Sequence, residues 1–154
     1  MFVSILRKLR HGPLRFLSPI WIFGGHLYRA FIKHTHISGA VQQKIGPYGP
    51  YKLHPNFTFS NFSSWGGTHN KGFLTCVEAS RGKKSIIDVG AHIGLVSLPI
   101  SSVLAPEGKI FAFEPSKTNR EYLNYHIKTN AIKNIEVFDV LVGRKNQDNV
   151  TFYE

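Results

Sequence analysis

The first half of this sequence lacks acidic residues. No Asp or Glu precedes Glu78, whereas nine Lys and Arg lie in residues 1–77. Residues 78–154 carry ten basic and nine acidic residues, so the net charge of +10 belongs almost wholly to the first half. Such asymmetry is typical of a protein that contacts an anionic surface, either lipid headgroups or nucleic acid.

Cysteine and long apolar runs are also scarce. The single cysteine, Cys76, excludes an intramolecular disulfide and a multi-cysteine metal site. It lies in an apolar stretch, which predicts a small buried side chain. The eight histidines show no spacing typical of a metal site. Because 42% of the 154 residues are hydrophobic, the chain can bury a core, and one domain of ordinary size is expected.

Residues 1–36 form a basic, aromatic-rich segment around the apolar stretch 16–23. Its basic residues are Arg7, Lys8, Arg10, Arg15, Arg29 and Lys33. The stretch is too short to span a bilayer, and Pro19, Gly24 and Gly25 interrupt it. Three interpretations stay open: a helix packed on the rest of the protein, a segment lying in the interface of an anionic membrane, and a signal peptide. The absence of a clear cleavage site weighs against the signal peptide.

Residues 37–79 are rich in turn-forming residues. The run 46–51 reads as consecutive turns, and Phe57-Thr58-Phe59 is a candidate edge strand. A short helix is predicted from Phe73 to Ala79. Asn70 before it is a candidate helix cap, and Asn70 with Lys71 is a weaker candidate for contact with a carboxylate of a ligand.

Residues 85–115 are the most informative stretch. Ser85-Ile86-Ile87 predicts a short strand buried on both faces, closed by Asp88. A glycine turn leads into an apolar run over 95–104, in which Pro99 should kink a helix or delay its start. A second strand is predicted over 109–113, and an acid, Glu114, ends it. Strand, glycine turn, helix, strand and terminal acid together predict the first half of a nucleotide-binding α/β unit.

The residues of this unit predict its ligand. Gly90 lets a ligand lie against the backbone, and Gly94 lets the helix start pack close to the sheet. Glu114 is placed to accept hydrogen bonds from a ribose diol. A dinucleotide site needs a central glycine for the pyrophosphate, but His92 stands there. The turn therefore suits a ligand without a diphosphate, such as S-adenosylmethionine, whose ammonium group Asp88 can hold.

The chain beyond Glu114 continues the alternation of helix and strand. Ser116 is expected to cap a helix whose apolar residues recur at helical spacing as far as Asn130. Residues 135–139 predict a third strand that ends at Asp139, and residues 150–153 predict the start of another.

These residues together resemble an FkbM-type S-adenosylmethionine-dependent methyltransferase. The resemblance rests on Ile87-Asp88-Val89-Gly90-Ala91-His92-Ile93-Gly94-Leu95, on Ile110-Phe111-Ala112-Phe113-Glu114-Pro115, on Asn119, Leu123 and Asn130, and on the stretches 135–143 and 150–153. It implies that Asp88, Gly90, Ala91 and His92 line the methionine end of the cofactor and that Glu114 binds the ribose. It also implies that Asp139 lies near the adenine. The family more often has Asn where this chain has His92.

The resemblance implies a Rossmann-like class I methyltransferase fold in which residues 80–154 supply only the N-terminal half of the sheet. The sequence is therefore expected to be truncated, and the general base for the acceptor is not among its residues. The implied acceptor is a small molecule with a hydroxyl, such as a sugar, and no specific nucleic acid. The alternative function is a non-catalytic module that binds a nucleotide or an anionic surface. A cytoplasmic protein is expected, with membrane contact through residues 1–36.

Overall fold

A computed structural model describes residue 9 and residues 12–35, 39–145, 147, 148 and 150. The helices in this part of the chain are α1 (Ser18–Thr35), α2 (Gly72–Ala79), α3 (Ser97–Ser101) and α4 (Lys117–Thr129). The strands are β1 (Val41–Ile45), β2 (Tyr48–Leu53), β3 (Ser85–Val89), β4 (Lys109–Phe113) and β5 (Ile135–Phe138). The strand predicted over 150–153 falls on residues that, apart from Val150, lie outside the described part.

Strands β3, β4 and β5 form a parallel sheet in the order β3-β4-β5. Val89 pairs with Phe113, and Phe113 pairs with Phe138, so the three carboxyl ends lie side by side. This arrangement confirms the predicted α/β class, and its strand order is that of one half of a Rossmann-like sheet. The register brings the residues that follow each strand to one edge, where ligands bind in sheets of this kind.

The two faces of the parallel sheet differ in their cover. On one face Ile110 and Ala112 are fully buried against Leu98 and Leu123. On the other face the side chain of Ile87 is 70% exposed. The prediction that the first strand is buried on both faces is therefore wrong. The reason is topological: successive right-handed crossovers that proceed in one direction across a sheet place their helices on the same face.

Helix α3 is much shorter than the predicted 95–104. It has five residues, and Pro99 stands third among them. The amide hydrogen that proline lacks is one that a first helical turn leaves unpaired in any case, so Pro99 fits there without strain. The start of the helix is therefore delayed to Ser97, which is one of the two outcomes expected of Pro99.

Helix α4 confirms its prediction. The Ser116 hydroxyl oxygen accepts a hydrogen bond from the Asn119 amide at 3.1 Å, which is the N-cap geometry expected of serine. The helix ends at Thr129 with Asn130 as its C-cap, and Leu123 and His126 are its buried residues. Leu123 and His126 are the two side chains of this helix that lie nearest the glycine turn.

Residues 39–79 contain structure that the sequence analysis missed. Strands β1 and β2 form an antiparallel hairpin, and Ile45 and Leu53 belong to the main core. Residues 57–59 are not a strand, because Pro55–Phe57 forms a 3-10 turn instead.

Two smaller predictions for this segment are also wrong. Cys76 is exposed, because it lies on the outer side of α2. Helix α2 begins after Lys71 with no side-chain cap, so Asn70 does not cap it.

Helix α1 continues through Gly24 and Gly25, with Pro19 in its first turn. It touches the rest of the protein through Tyr28, whose hydroxyl lies 2.9 Å from Thr58 Oγ1. In the described residues, no helix combines the length and the hydropathy that crossing a membrane requires. The predicted basic residues Arg7, Lys8 and Arg10 lie outside the described part.

Candidate functional site

The glycine turn lies at the carboxyl end of β3, between that strand and α3. Gly90, His92 and Gly94 all have positive φ, at 78°, 51° and 90°. A Cβ on Gly90 would meet nothing within 4 Å, whereas one on Gly94 would lie 2.7 Å from Leu123 Cδ1. Gly90 therefore leaves open space beside the backbone. Gly94 packs closely against Leu123 of α4, whereas the sequence predicted that it would bring the helix start close to the sheet.

Backbone groups of the turn are hydrogen-bonded within the protein. The amides of Gly90 and Ala91 donate to the Phe113 carbonyl oxygen at 2.9 and 3.1 Å, and the amide of Gly94 donates to Ala91. These bonds join the turn to the end of β4. They also remove these amides as donors to an anionic ligand, which suits a ligand group without a phosphate.

Glu114 holds the centre of the turn. Its side chain is buried, and Oε2 accepts a hydrogen bond from the His92 amide at 2.7 Å. Oε1 accepts from the Ser116 amide at 3.0 Å and from Asn119 Nδ2 at 3.3 Å. A carboxylate has about four acceptor positions. Three are used inside the protein, so about one remains for a ligand hydroxyl.

His126 holds the turn from the opposite side, a role that sequence reasoning missed. Its Nε2 accepts a hydrogen bond from the His54 amide at 2.9 Å, so Nδ1 carries the proton and donates to the Ile93 carbonyl oxygen at 2.8 Å. The ring is fully buried, and burial lowers the pKa of His126 to about 4. The uncharged ring therefore links the β-hairpin segment, α4 and the turn.

Asp88 is the penultimate residue of β3. Its Oδ2 accepts a hydrogen bond from the buried Ser97 hydroxyl at 2.5 Å, and Oδ1 has no partner among the residues that the structure describes. Burial raises the pKa of Asp88, the negative charge of Glu114 raises it further, and the Ser97 bond opposes both. A cationic group placed near Oδ1 would stabilise the ionised carboxylate.

Asp139 follows β5 and is largely exposed. Both of its oxygens bind the guanidinium of Arg120, at 2.6 and 2.7 Å. The same guanidinium donates to the carbonyl oxygens of Glu114 and Pro115 at 2.9 and 2.5 Å. Arg120 thus fastens the ends of β4 and β5 together. The sequence offered one signal for it, a basic residue one turn into the helix that follows Glu114.

The predicted site residues therefore lie around the glycine turn, except Asp139, which lies beside them at the end of β5. Five of them are joined around the turn by hydrogen bonds to one another or to the end of β4, namely Gly90, Ala91, His92, Gly94 and Glu114. Asp88 precedes the turn and is close enough to Glu114 for their charges to interact. Asp139 is joined to Glu114 through Arg120. The weaker candidates Asn70 and Lys71 are exposed at the start of α2.

Comparison with known proteins finds similarity in structure only. No protein-family profile and no curated protein matches the chain. A precorrin-6y C5,15-methyltransferase from Geobacter metallireducens is 20% identical, with a TM-score of 0.42 over 47% of this chain and 39% of that one. The O-methyltransferase TomG from Streptomyces achromogenes, in complex with SAM, is 19% identical, with a TM-score of 0.40 over 46% and 32%. M. jannaschii TYW2, in complex with AdoMet, is 21% identical, with a TM-score of 0.43 over 56% and 37%.

The chain thus spans about a third of the length of the solved structures to which it is similar.

Proposed function

We propose that this chain forms the cofactor-binding part of an FkbM-type methyltransferase that uses S-adenosylmethionine. The observation that carries the proposal is the glycine turn at the carboxyl edge of the parallel sheet, with open space beside Gly90 and Glu114 bonded to its centre. His92 stands where a dinucleotide site has a glycine, which favours a ligand without a diphosphate.

The residues around the turn fit such a cofactor. Glu114 retains about one acceptor position for a ribose hydroxyl. Oδ1 of Asp88 can accept from the ammonium group, which would also offset the cost of burying that carboxylate. Gly90, Ala91 and His92 would line the methionine end, and Asp139 would lie on the adenine side. S-adenosylmethionine, when bound, supplies a methyl group on a positively charged sulfur.

The proposed acceptor is a hydroxyl of a sugar or another small metabolite. The contribution of this chain would be to hold and orient the cofactor, since positioning of reactants can account for a large part of a catalysed rate. The group that removes the proton from the acceptor is not assigned to any residue of this chain.

Calorimetry with S-adenosylhomocysteine and with NAD tests the proposed cofactor. We expect the chain to bind S-adenosylhomocysteine and not NAD. Glu114→Gln should weaken binding tenfold to hundredfold, because one hydrogen bond to a charged group contributes about 1.5–3 kcal/mol. Glu107→Gln, which changes an exposed acid paired with Lys84, should leave affinity unchanged. Thermal melting followed by circular dichroism establishes that each variant is folded. Binding of NAD without a response to S-adenosylhomocysteine contradicts the proposal.

A second candidate function is a module that binds an anionic partner without catalysis. The nine basic residues without an acid in residues 1–77 favour it. An assay with labelled S-adenosylmethionine and a panel of hydroxyl acceptors separates the two. We expect no transfer by the 154 residues alone and transfer by a longer protein that contains them. Failure of such a longer protein to transfer methyl groups to any acceptor favours the binding module.

We also propose a location for the protein. Residues 1–36 would hold it reversibly at an anionic membrane surface while the α/β part remains in the cytoplasm. The six basic residues of this segment and its apolar stretch 16–23 support this location.

A further inference from the structure

Helix α1 presents an apolar stripe that faces away from the protein. Phe16, in the turn that leads into the helix, is followed by Ile20, Phe23 and Leu27 at intervals of four, three and four residues. Residues at these intervals share one face of a helix. All four side chains are more than half exposed. We name these four residues the apolar stripe.

The attachment of α1 to the protein uses a different side of the helix. The Tyr28 hydroxyl lies 2.9 Å from Thr58 Oγ1, and the Tyr28 ring stacks edge-on against Phe59. Trp21 is only partly exposed, and its Nε1 donates to the Leu14 carbonyl oxygen at 3.0 Å. These contacts do not involve the apolar stripe, and Trp21 does not belong to it.

The charge of the surrounding sequence selects the partner for this surface. Residues 1–77 carry nine basic residues and no acid. A second copy of the chain would bring two such segments together, and like charges repel. A nucleic acid would satisfy the charge but would leave the apolar stripe in water. A membrane with anionic headgroups satisfies both, since its surface attracts basic residues and its acyl region takes up apolar side chains.

We propose that the apolar stripe of α1 inserts into the interface of an anionic membrane, with the helix lying parallel to the surface. This inference rests on the membrane contact proposed above for residues 1–36 and names the surface that makes it. The helix is not suited to span the bilayer, but an amphipathic helix at the interface buries only its apolar face.

The test compares two isoleucines that differ in their place on the helix. Ile20 belongs to the apolar stripe and is 64% exposed, whereas Ile22 is 55% exposed and lies nearly opposite, two residues further on. Cosedimentation with vesicles of phosphatidylcholine, with and without phosphatidylserine, measures binding. We expect Ile20→Ser to reduce binding to the anionic vesicles about tenfold and Phe23→Ser with Leu27→Ser about hundredfold, from the transfer free energies of such side chains. Ile22→Ser should stay within about twofold of the wild type.

The outcomes separate this inference from the proposed membrane contact. Wild-type protein that does not sediment with anionic vesicles overturns both. Wild-type binding that is lost on deletion of residues 1–36, yet is unchanged in the variants of the apolar stripe, overturns the stripe alone. Equal losses for Ile20→Ser and Ile22→Ser also overturn it. Concentration-dependent self-association that Ile20→Ser abolishes would assign the apolar stripe to a second copy instead.

Discussion

The glycine turn and helix α1 are attached to the same protein in opposite ways. The turn is held from both sides, by the Glu114 carboxylate at the His92 amide and by the His126 ring at the Ile93 carbonyl. Helix α1 has 18 residues, and its Tyr28 side chain contacts Pro55, Thr58 and Phe59. A segment fixed by many buried contacts suits the recognition of a small ligand. A segment that is anchored through a side chain such as Tyr28 and has an exposed apolar face suits contact with a surface.

Among the changes that test this difference between the turn and α1, Gly94→Ala should have the largest effect on stability. The new Cβ would lie 2.7 Å from Leu123 Cδ1, and the backbone has a φ of 90°, which favours glycine. Overpacking and backbone strain together should lower the free energy of unfolding by about 3 kcal/mol. Chemical denaturation measures this change. Gly24→Ala in α1 is the matched control, because a Cβ there meets nothing within 4 Å; a similar loss for both variants would contradict the contrast.

The second largest effect should be a dependence of stability on pH that arises from His126, which holds the turn. The pKa of His126 is about 4 in the folded protein and 6.5 in its ordinary state. Above pH 6.5 the ring is uncharged in both states, so its contribution to stability is fully present. Between pH 6.5 and 4 only the unfolded chain binds the proton, and the free energy of unfolding should fall by about 3 kcal/mol.

Denaturation curves at several pH values measure this loss. His126→Asn should be less stable at pH 7 and should show a flatter dependence on pH over the same window. His26→Asn, at an exposed position of α1, is the control and should retain the steep dependence. An unchanged pH dependence in His126→Asn would contradict the assignment of the proton to this ring.

The smallest effect on stability should come from a change to Tyr28, the side chain that anchors α1. Tyr28→Phe removes the hydroxyl that lies against Thr58 and Pro55 but keeps the ring beside Phe59. The loss of one partly buried hydrogen bond should cost about 1 kcal/mol or less. Limited proteolysis should nevertheless cleave around α1 faster than in the wild type, while cleavage within the α/β part stays unchanged. If Tyr28→Phe accelerated cleavage equally around α1 and within the α/β part, the two regions would unfold together, which contradicts this prediction.

Local signals in the sequence determined the elements around the site. The predicted strand 109–113 matches β4, the Ser116 cap starts α4, and the spacing of Gly90 and Gly94 marks the turn. Each signal acts over a few residues: a serine hydroxyl bonds to an amide three residues away, and glycine permits positive φ at its own position. The parallel pairing of β3 and β4 then brings Glu114 to the turn.

The tertiary structure alone decided which of these residues are covered and what holds them. Ile87 and Cys76 are apolar in type but exposed, because nothing in the described part packs on their side. His126 and Arg120 hold the site through partners that lie far away in sequence, including His54 and Asp139. Burial and long-range hydrogen bonds depend on which elements pack together, and a single sequence specifies that only through the free energy of the whole fold.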